Sequence, residues 1–312
     1  MSGERGEYGG SPVEFRPSFE LHDDDPEHLS ALEVRDYEKA PLRVQEFYRD
    51  NHTGHTYERN RAMWEAYASP EARTMKAHMW EILNKVGELK DASDPDVDEP
   101  QIVHAFQSAE AARRDNRPEW FQATVLVHDV GKLLATDILP DRPALPQWAV
   151  VGDTFPVGCK FDDRIVLSKY FHPQDAVPDS DDPMLRVGWP GNPDTLDERF
   201  NTELGIYHEG VGLDNITVSF GHDEYLYQVL SGNCELPPSA LKMIRYHSLY
   251  PVHNAGAYGG LLTKADQSTL KGVRHFNQYD LYSKVDEKPD IAALSAYYED
   301  LVNKFFPNEL SW

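Results

Sequence analysis

Cysteine is almost missing from this chain: Cys159 and Cys234 are the two among 312 residues. A disulfide framework is therefore not expected, and the cytoplasm is the default compartment. No apolar run comes near the ~20 residues a membrane-spanning helix needs. Residues 1–10 are polar and hold no apolar signal core. Basic residues are scarce beside acidic ones, 30 against 53, leaving a formal charge of −23. Such a surface repels nucleic acid and anionic membranes, and it suits a neutral or cationic small ligand. No internal repeat is visible.

What the chain does have is apolar content and histidine. Hydrophobic residues make up 40 %, enough for a sizeable core. The length allows one large domain or two small ones. There are 13 histidines, several in apolar, helix-like surroundings that a solvated surface does not explain.

Residues 1–30 combine Gly, Pro and Ser with the acidic run Asp23-Asp24-Asp25-Pro26-Glu27, the composition of a mobile, solvated arm. Beyond it the periodicity is mostly helical. Pro41 precedes a stripe of Val44, Phe47 and Tyr48, in a helix expected to run past His55. Met75, Met79, Ile82, Leu83, Val86 and Leu89 form a second stripe. Residues 91–100 are an acidic loop between helices, and residues 120–134 read as one helix. Trp148, Val150 and Val151 suggest a short strand and Gly152-Asp153 a tight turn, giving a small β-hairpin near Val150. Residues 160–206 are rich in Asp, Pro and Gly, an irregular excursion over the surface long enough to be functional or a lid. Helical stripes return around Leu226, after Pro237-Pro238, around Phe276 and from Ile291 to Phe305. The expected fold class is all-α, one helical domain with few strands.

The chemistry gathers at L-V-H-D-V-G-K, residues 126–132. An apolar run leads into His128 and Asp129. Imidazole and carboxylate side by side at the end of a buried helix need partners, because polar groups in apolar surroundings are costly. A metal ion satisfies both, and these are usual ligands for first-row transition metals. Taken alone, the pair fits a surface helix end as well. However, His104, His128, Asp129, His222, His247 and Asp280 recur at helix ends or inner faces, in the order H…HD…H…H…D. Six ligands exceed the four of a structural zinc. They suit two octahedral ions sharing a carboxylate, with positions left for water or substrate. Asp129 is the candidate bridge, because it directly follows a ligand. The all nitrogen–oxygen set favours iron, manganese or magnesium-like ions without selecting iron. Lys132, about one helical turn on, can aim an ammonium at a metal-bound oxygen; its other reading is a surface lysine at a helix C-terminus. His172, next to Pro173, reads as structural.

The order H…HD…D is the signature of the HD-domain superfamily. Longer stretches carry a closer likeness: D-A-S-D-P-D-V-D-E-P, H-A-F-Q-S-A-E, H-D-V-G-K, P-Q-W-A-V-V-G-D-T-F-P-V-G-C, G-L-D-N-I-T-V-S-F-G-H-D-E-Y, M-I-R-Y-H-S-L-Y-P, F-N-Q-Y-D-L-Y-S-K and L-S-W. Together they resemble the myo-inositol oxygenase family over residues 34–312. The resemblance implies a single HD-type catalytic domain over residues 31–312, and a non-haem di-iron centre working in an Fe(II)/Fe(III) state. By motif position, one iron would take His104, His128 and Asp280 and the other His222 and His247, with Asp129 bridging. The substrates would be myo-inositol and O2, and the product D-glucuronate. Lys132 would hydrogen-bond a substrate oxygen, and it and Asp129 would be the catalytic residues. Asp91, Ser93, Asp94, Lys132, Gly152, Asp153, His247 and Ser248 would contact the polyol. Arg35 and Tyr48 would belong to a segment covering the site. The family leans monomeric. The segment 53–76 and the excursion near 160–200 depart from the family pattern. The competing reading is a metal-dependent HD-type phosphohydrolase, which would need several basic groups where this chain has mostly carboxylates and Lys132. A non-catalytic scaffold would lack ligands that this chain retains.

Overall fold

Prolines set where several helices begin, because the ring presets φ and blocks continuation from the preceding residue. The computed structural model describes residues 37–93, 100–140, 142–282 and 288–312. The expected arm over residues 1–30, Arg35 and Asp94 lie outside them. Helix α1 (Leu42–Gly54) follows Pro41 and stops one residue short of His55. A short α2 (Tyr57–Met63) is capped by Thr56, whose side chain accepts from the Arg59 amide. Helix α3 (Met79–Val86) buries Met79, Ile82, Leu83 and Val86. Helices α4 (Gln101–Arg114) and α5 (Glu119–Val127) start directly after Pro100 and Pro118. Then come α6 (His222–Leu230), α7 (Pro238–Tyr246) after Pro237, α8 (Tyr250–His253), α9 (Asp266–Tyr282) and α10 (Ile291–Phe305). The fold is all-α, as expected.

Helix α5 is the axis. Residues 121–127 are all buried, so beyond its first two residues no face of it meets water. A helix apolar all round belongs in a core, and α4, α7, α9 and α10 pack around this one. The chain does not continue as one helix to residue 134. It leaves α geometry at His128-Asp129, where Asp129 takes φ −93° and ψ −1°, and tightens into a 3-10 turn over Val130–Ala135. The break has a local cause. The His128 ring donates from Nδ1 to the Val125 carbonyl at 2.7 Å, and the turn is pressed against the start of α6.

The small strand pair lies away from Val150. Strand β1 (Lys76–Ala77) pairs antiparallel with β2 (Leu310–Ser311), Lys76 facing Ser311 and Ala77 facing Leu310. Trp312 then buries its ring and donates Nε1–H to the Ala77 carbonyl at 3.1 Å. At the position expected to be a strand, Gln147–Ala149 form a 3-10 turn instead. The amides of Val150 and Val151 both donate to the Gln147 carbonyl, and the Val150 carbonyl is taken by His222. The backbone groups a ladder would need are already committed.

The excursion over residues 160–206 is tied down rather than free to swing as a lid. Phe161 stacks on Phe171 at 4.0 Å between ring centres, and Phe171 stacks on His52 at 4.1 Å. Arg49 on α1 pairs with Asp182 at 2.6 Å, both about 5 % exposed, and lies over the Trp189 ring.

His52 makes this packing acid-sensitive. It is fully buried, with Nε2 against the Val166 carbonyl at 2.7 Å. Burial holds its imidazole down, at about 3 instead of 6.5. A group depressed in the folded state stabilises above its unfolded value and loses that stabilisation as pH falls toward its folded one. Between pH 7 and pH 5, His52 alone is expected to cost about 2 kcal/mol. Urea unfolding of wild type and His52→Asn at both pH values checks this. The variant's pH-dependent loss should be smaller by that amount, and an equal loss in both would contradict it.

Candidate metal centre

All six expected ligands converge below the C-terminal end of α5. His104 comes from α4, His128 and Asp129 from the break after α5, His222 from the first residue of α6, His247 from the end of α7, and Asp280 from α9. His128, Asp129, His222 and His247 are each at most 4 % exposed. The Asp129 carboxylate is the hub. Its Oδ1 lies 3.1 Å from His222 Nε2 and 3.7 Å from His247 Nε2. Its Oδ2 lies 3.3 Å from His128 Nε2 and 3.6 Å from His104 Nε2. Asp280 Oδ1 closes the second side, 3.0 Å from His104 Nε2 and 3.4 Å from His128 Nε2. Two sets of ligand atoms lie within 4.8 Å of one another: His104, His128 and Asp280, and His128, Asp129 and His247.

The donor set fits a cation. Three rings have Nδ1 against a backbone carbonyl: His128 on Val125 at 2.7 Å, His222 on Val150 at 2.8 Å, and His247 on Ile244 at 2.7 Å. A carbonyl only accepts, so each Nδ1 carries the hydrogen and each Nε2 presents a lone pair inward. His222 and His247 then point two lone pairs at each other across 3.0 Å. His128 Nε2 is buried without a hydrogen-bond partner. Shared protons or metal ions resolve such a juxtaposition. Burial pulls the His128 imidazole down, but Asp129 and Asp280 more than reverse this and push it up to about 10. Burial likewise opposes ionisation of Asp129, yet His128 and Lys132 hold it well below the usual carboxylate range. The protein is built for positive charge at this spot, and a metal ion can stand where the proton does.

Beside the hub, Lys132 is 6 % exposed and donates to Asp129 Oδ2 at 2.9 Å, Asp91 Oδ2 at 2.7 Å and Gln101 Oε1 at 3.2 Å. It is not a surface lysine. Asp91 Oδ1 accepts from the amide and hydroxyl of Ser93, at 2.9 and 2.6 Å. Burial works against the Asp91 carboxylate, and Lys132 nevertheless holds it below its ordinary value. Gly152, at φ +88°, sits where a Cβ would meet the Phe47 ring and approach Ser93. Asp153 Oδ1 accepts from the Tyr48 hydroxyl at 3.3 Å. The Thr154 amide donates to the Ser248 carbonyl at 2.8 Å, tying this run to the end of α7. Gln147 fixes the loop start, receiving the Ala92 amide and donating to the Lys90 carbonyl.

Sequence reasoning passes over three supporting residues. Gln101 donates Nε2–H to Asp129 Oδ2. His253 and Asn277 both donate to the His247 carbonyl, at 3.0 and 2.8 Å. The available signal for Gln101 is its place one turn before His104 on the same helical face.

Fold and site together define an all-helical enzyme scaffold whose buried centre gathers histidine and aspartate side chains that could hold metal ions. Comparison with known proteins is specific. A family model for myo-inositol oxygenase matches residues 41–188 and 184–312. Inositol oxygenase 2 of Arabidopsis thaliana is 44 % identical over 284 residues, 89 % of this chain and 82 % of that protein. The inositol oxygenase of Dictyostelium discoideum is 41 % identical, covering 90 % of each chain. That of Mus musculus is 39 % identical over 93 % of this chain and 95 % of its own length. The chain belongs to the myo-inositol oxygenase family.

Gly131, within the H-D-V-G-K run, gives a direct test of the site's packing. A Cβ there would fall on the His222 carbonyl oxygen and within 3.0 Å of its Cα. Gly131→Ala must therefore push the 3-10 turn and α6 apart, at an expected cost of about 1–3 kcal/mol. Thermal melts and metal analysis on the same preparations should show a lower Tm and reduced metal retention. Wild-type metal content in the variant would contradict this packing.

Proposed function

We propose that this protein is an inositol oxygenase, opening the ring of myo-inositol with one O2 to give D-glucuronate and water. The reading is carried by one observation joined to family membership: a single buried carboxylate, Asp129, turns each oxygen to a different pair of histidines. His104, His128 and Asp280 would hold one iron ion, His222 and His247 the other, and Asp129 would bridge them. When bound, such a pair in its Fe(II)/Fe(III) form supplies the affinity for O2, the oxidising power and the acidification of bound hydroxyls that ring opening needs.

The chain's own residues do the rest. Lys132 keeps an ammonium at the edge of the centre, held between Asp91 and Asp129. There it can donate to a substrate oxygen as negative charge develops on it. Burial opposes its charge, but Asp129 and Asp91 prevail and raise it beyond the ordinary lysine value, so it acts as a fixed donor rather than as a base. A polyol offers only hydroxyls, so recognition needs alternating donors and acceptors. Asp91, Ser93, Gly152, Asp153 and Ser248 offer them along one connected run, with His247 beside it, and Asp94 and Arg35 belong to the same proposed set. Tyr48, buried against Asp153, would close the run and help keep water from the reacting atoms. We assign the protein to the cytoplasm as a monomer, acting without nucleic-acid or membrane partners. The surface charge of −23 agrees with the last point. No helix of the described residues is long and apolar enough to cross a membrane.

The phosphohydrolase reading is not favoured. The cation beside the centre, Lys132, is already balanced by two carboxylates, Asp91 and Asp129. That lysine is thereby committed to the centre rather than left for a phosphate.

Oxygen uptake on adding myo-inositol to iron-loaded, reduced protein, with glucuronate assayed in parallel, tests the proposal. One glucuronate per O2 is expected; metal-loaded protein that consumes no O2 but releases phosphate from nucleotides would overturn it. Lys132→Ala should lower turnover by about 100-fold or more, the usual scale for losing a charge-stabilising donor. Its metal content should be retained, because bound ions themselves neutralise Asp129. Unchanged inositol cleavage would remove Lys132 from the mechanism.

A further inference from the structure

The two oxygens of Asp129 face equivalent histidine pairs, but their other surroundings differ. Oδ1 has His222 and His247. Oδ2 has His128 and His104, and in addition receives two N–H donors, Lys132 Nζ and Gln101 Nε2. Gln101 does more than donate. Its Oε1 accepts from the same lysine at 3.2 Å, which closes a ring of hydrogen bonds through amide, ammonium and carboxylate. Among uncharged side chains, a primary amide is suited to this place: it presents a donor to the carboxylate and an acceptor to the ammonium from one rigid end. A glutamate would turn an acceptor on Asp129, and a leucine would answer neither neighbour.

Gln101 is also well anchored. It is the first residue of α4, directly after Pro100, and its amide donates to the Leu89 carbonyl at 2.8 Å. It is 6 % exposed, so the ring of hydrogen bonds lies away from water and keeps its strength. His104 stands three residues on, so the amide and one ligand imidazole are carried by the same turn of helix.

From this asymmetry we infer that Gln101 is a positioning residue that adds to the inequality Asp280 already gives the two metal positions: it governs the ion on the His104–His128–Asp280 side and leaves the ion on the His222–His247 side alone. The inference rests on the reading of Asp129 as a bridge between two ions. Gln101 acts in two ways. It fixes the rotation of the carboxylate, so that Oδ2 meets its own histidine pair squarely. Together with Lys132 it also draws electron density from Oδ2, an effect that opposes binding there and that the orientation outweighs. The two positions can then hold ions in different states although they share one carboxylate. Groups that orient a ligand typically change metal affinity by about 10–100-fold when removed.

The test is an anaerobic calorimetric titration of the metal-free full chain with Fe(II), repeated with Mn(II). Anomalous diffraction from Mn(II)-loaded crystals then reads occupancy on each side. Wild type should bind two ions. In Gln101→Leu, one affinity should fall by about 10–100-fold, with occupancy lost on the His104–His128–Asp280 side and retained on the other. Gln101→Asn keeps the amide on a shorter arm and should show a smaller loss on that same side; it also carries the test if the leucine variant does not fold. Equal weakening of both positions would mean that Gln101 only supports the fold, and no weakening would mean that it does not act on the centre. Either result overturns the inference while leaving the bridge intact. Wild type binding fewer than two ions would instead refute the bridge, and the inference with it.

Discussion

A carboxylate with no route to water is costly, and Asp129 is 4 % exposed. Everything around it answers that cost. Four imidazoles approach its two oxygens, and Lys132 and Gln101 complete the set. With protons or metal ions among these groups, the charges balance; with any one group deleted, a buried charge loses compensation. This explains why the candidate ligands are drawn from α4, the break after α5, α6, α7 and α9 and not from one local motif. The helices are held together at their ends by the same electrostatics that the site uses.

The fold departs from regularity where the centre requires it. Helix α5 breaks at His128-Asp129, and the 3-10 turn that follows brings Lys132 back beside Asp129, three residues on. Gly131 allows that turn to lie on the backbone of His222. The Val150 carbonyl accepts both the amide and the Nδ1–H of His222, so one backbone oxygen fixes the start of α6 and the orientation of its first imidazole. Gln147, three residues earlier, clamps the loop that carries Asp91 and Ser93. The Pro146-to-Thr154 run thus joins the support of His222 to the loop that carries Asp91 and Ser93.

Much of this was legible in the sequence, for physical reasons. Histidines and aspartates on apolar helical faces stand out, because an unpaired polar group there is expensive. The helices themselves were visible in the spacing of Met79, Ile82, Leu83 and Val86 and in the prolines before α1, α4, α5 and α7. What escaped depends on backbone groups and long-range partners. Val150 and Val151 have strand-forming side chains, but hydrogen bonds to Gln147 and His222 decide their conformation. Strands β1 and β2 are two residues each and meet only after some 230 residues of intervening chain, too short for any alternation to register. The excursion reads as loose from its Asp, Pro and Gly content, yet Phe161, Phe171 and Trp189 pin it to α1 through His52 and Arg49. Gln101 carries no charge and follows a run of carboxylates, so its one local mark is the place a turn before His104. Its role emerges only when α4 is laid against the break after α5.

The most direct measurement is the metal–metal vector in the iron-loaded protein, by X-ray absorption or by anomalous diffraction. Two ions about 3.5–4 Å apart, one on each side of the Asp129 carboxylate, are the result expected of a shared bridging ligand. A single ion, or two ions whose vector does not straddle Asp129, would contradict the assignment on which the proposed chemistry depends.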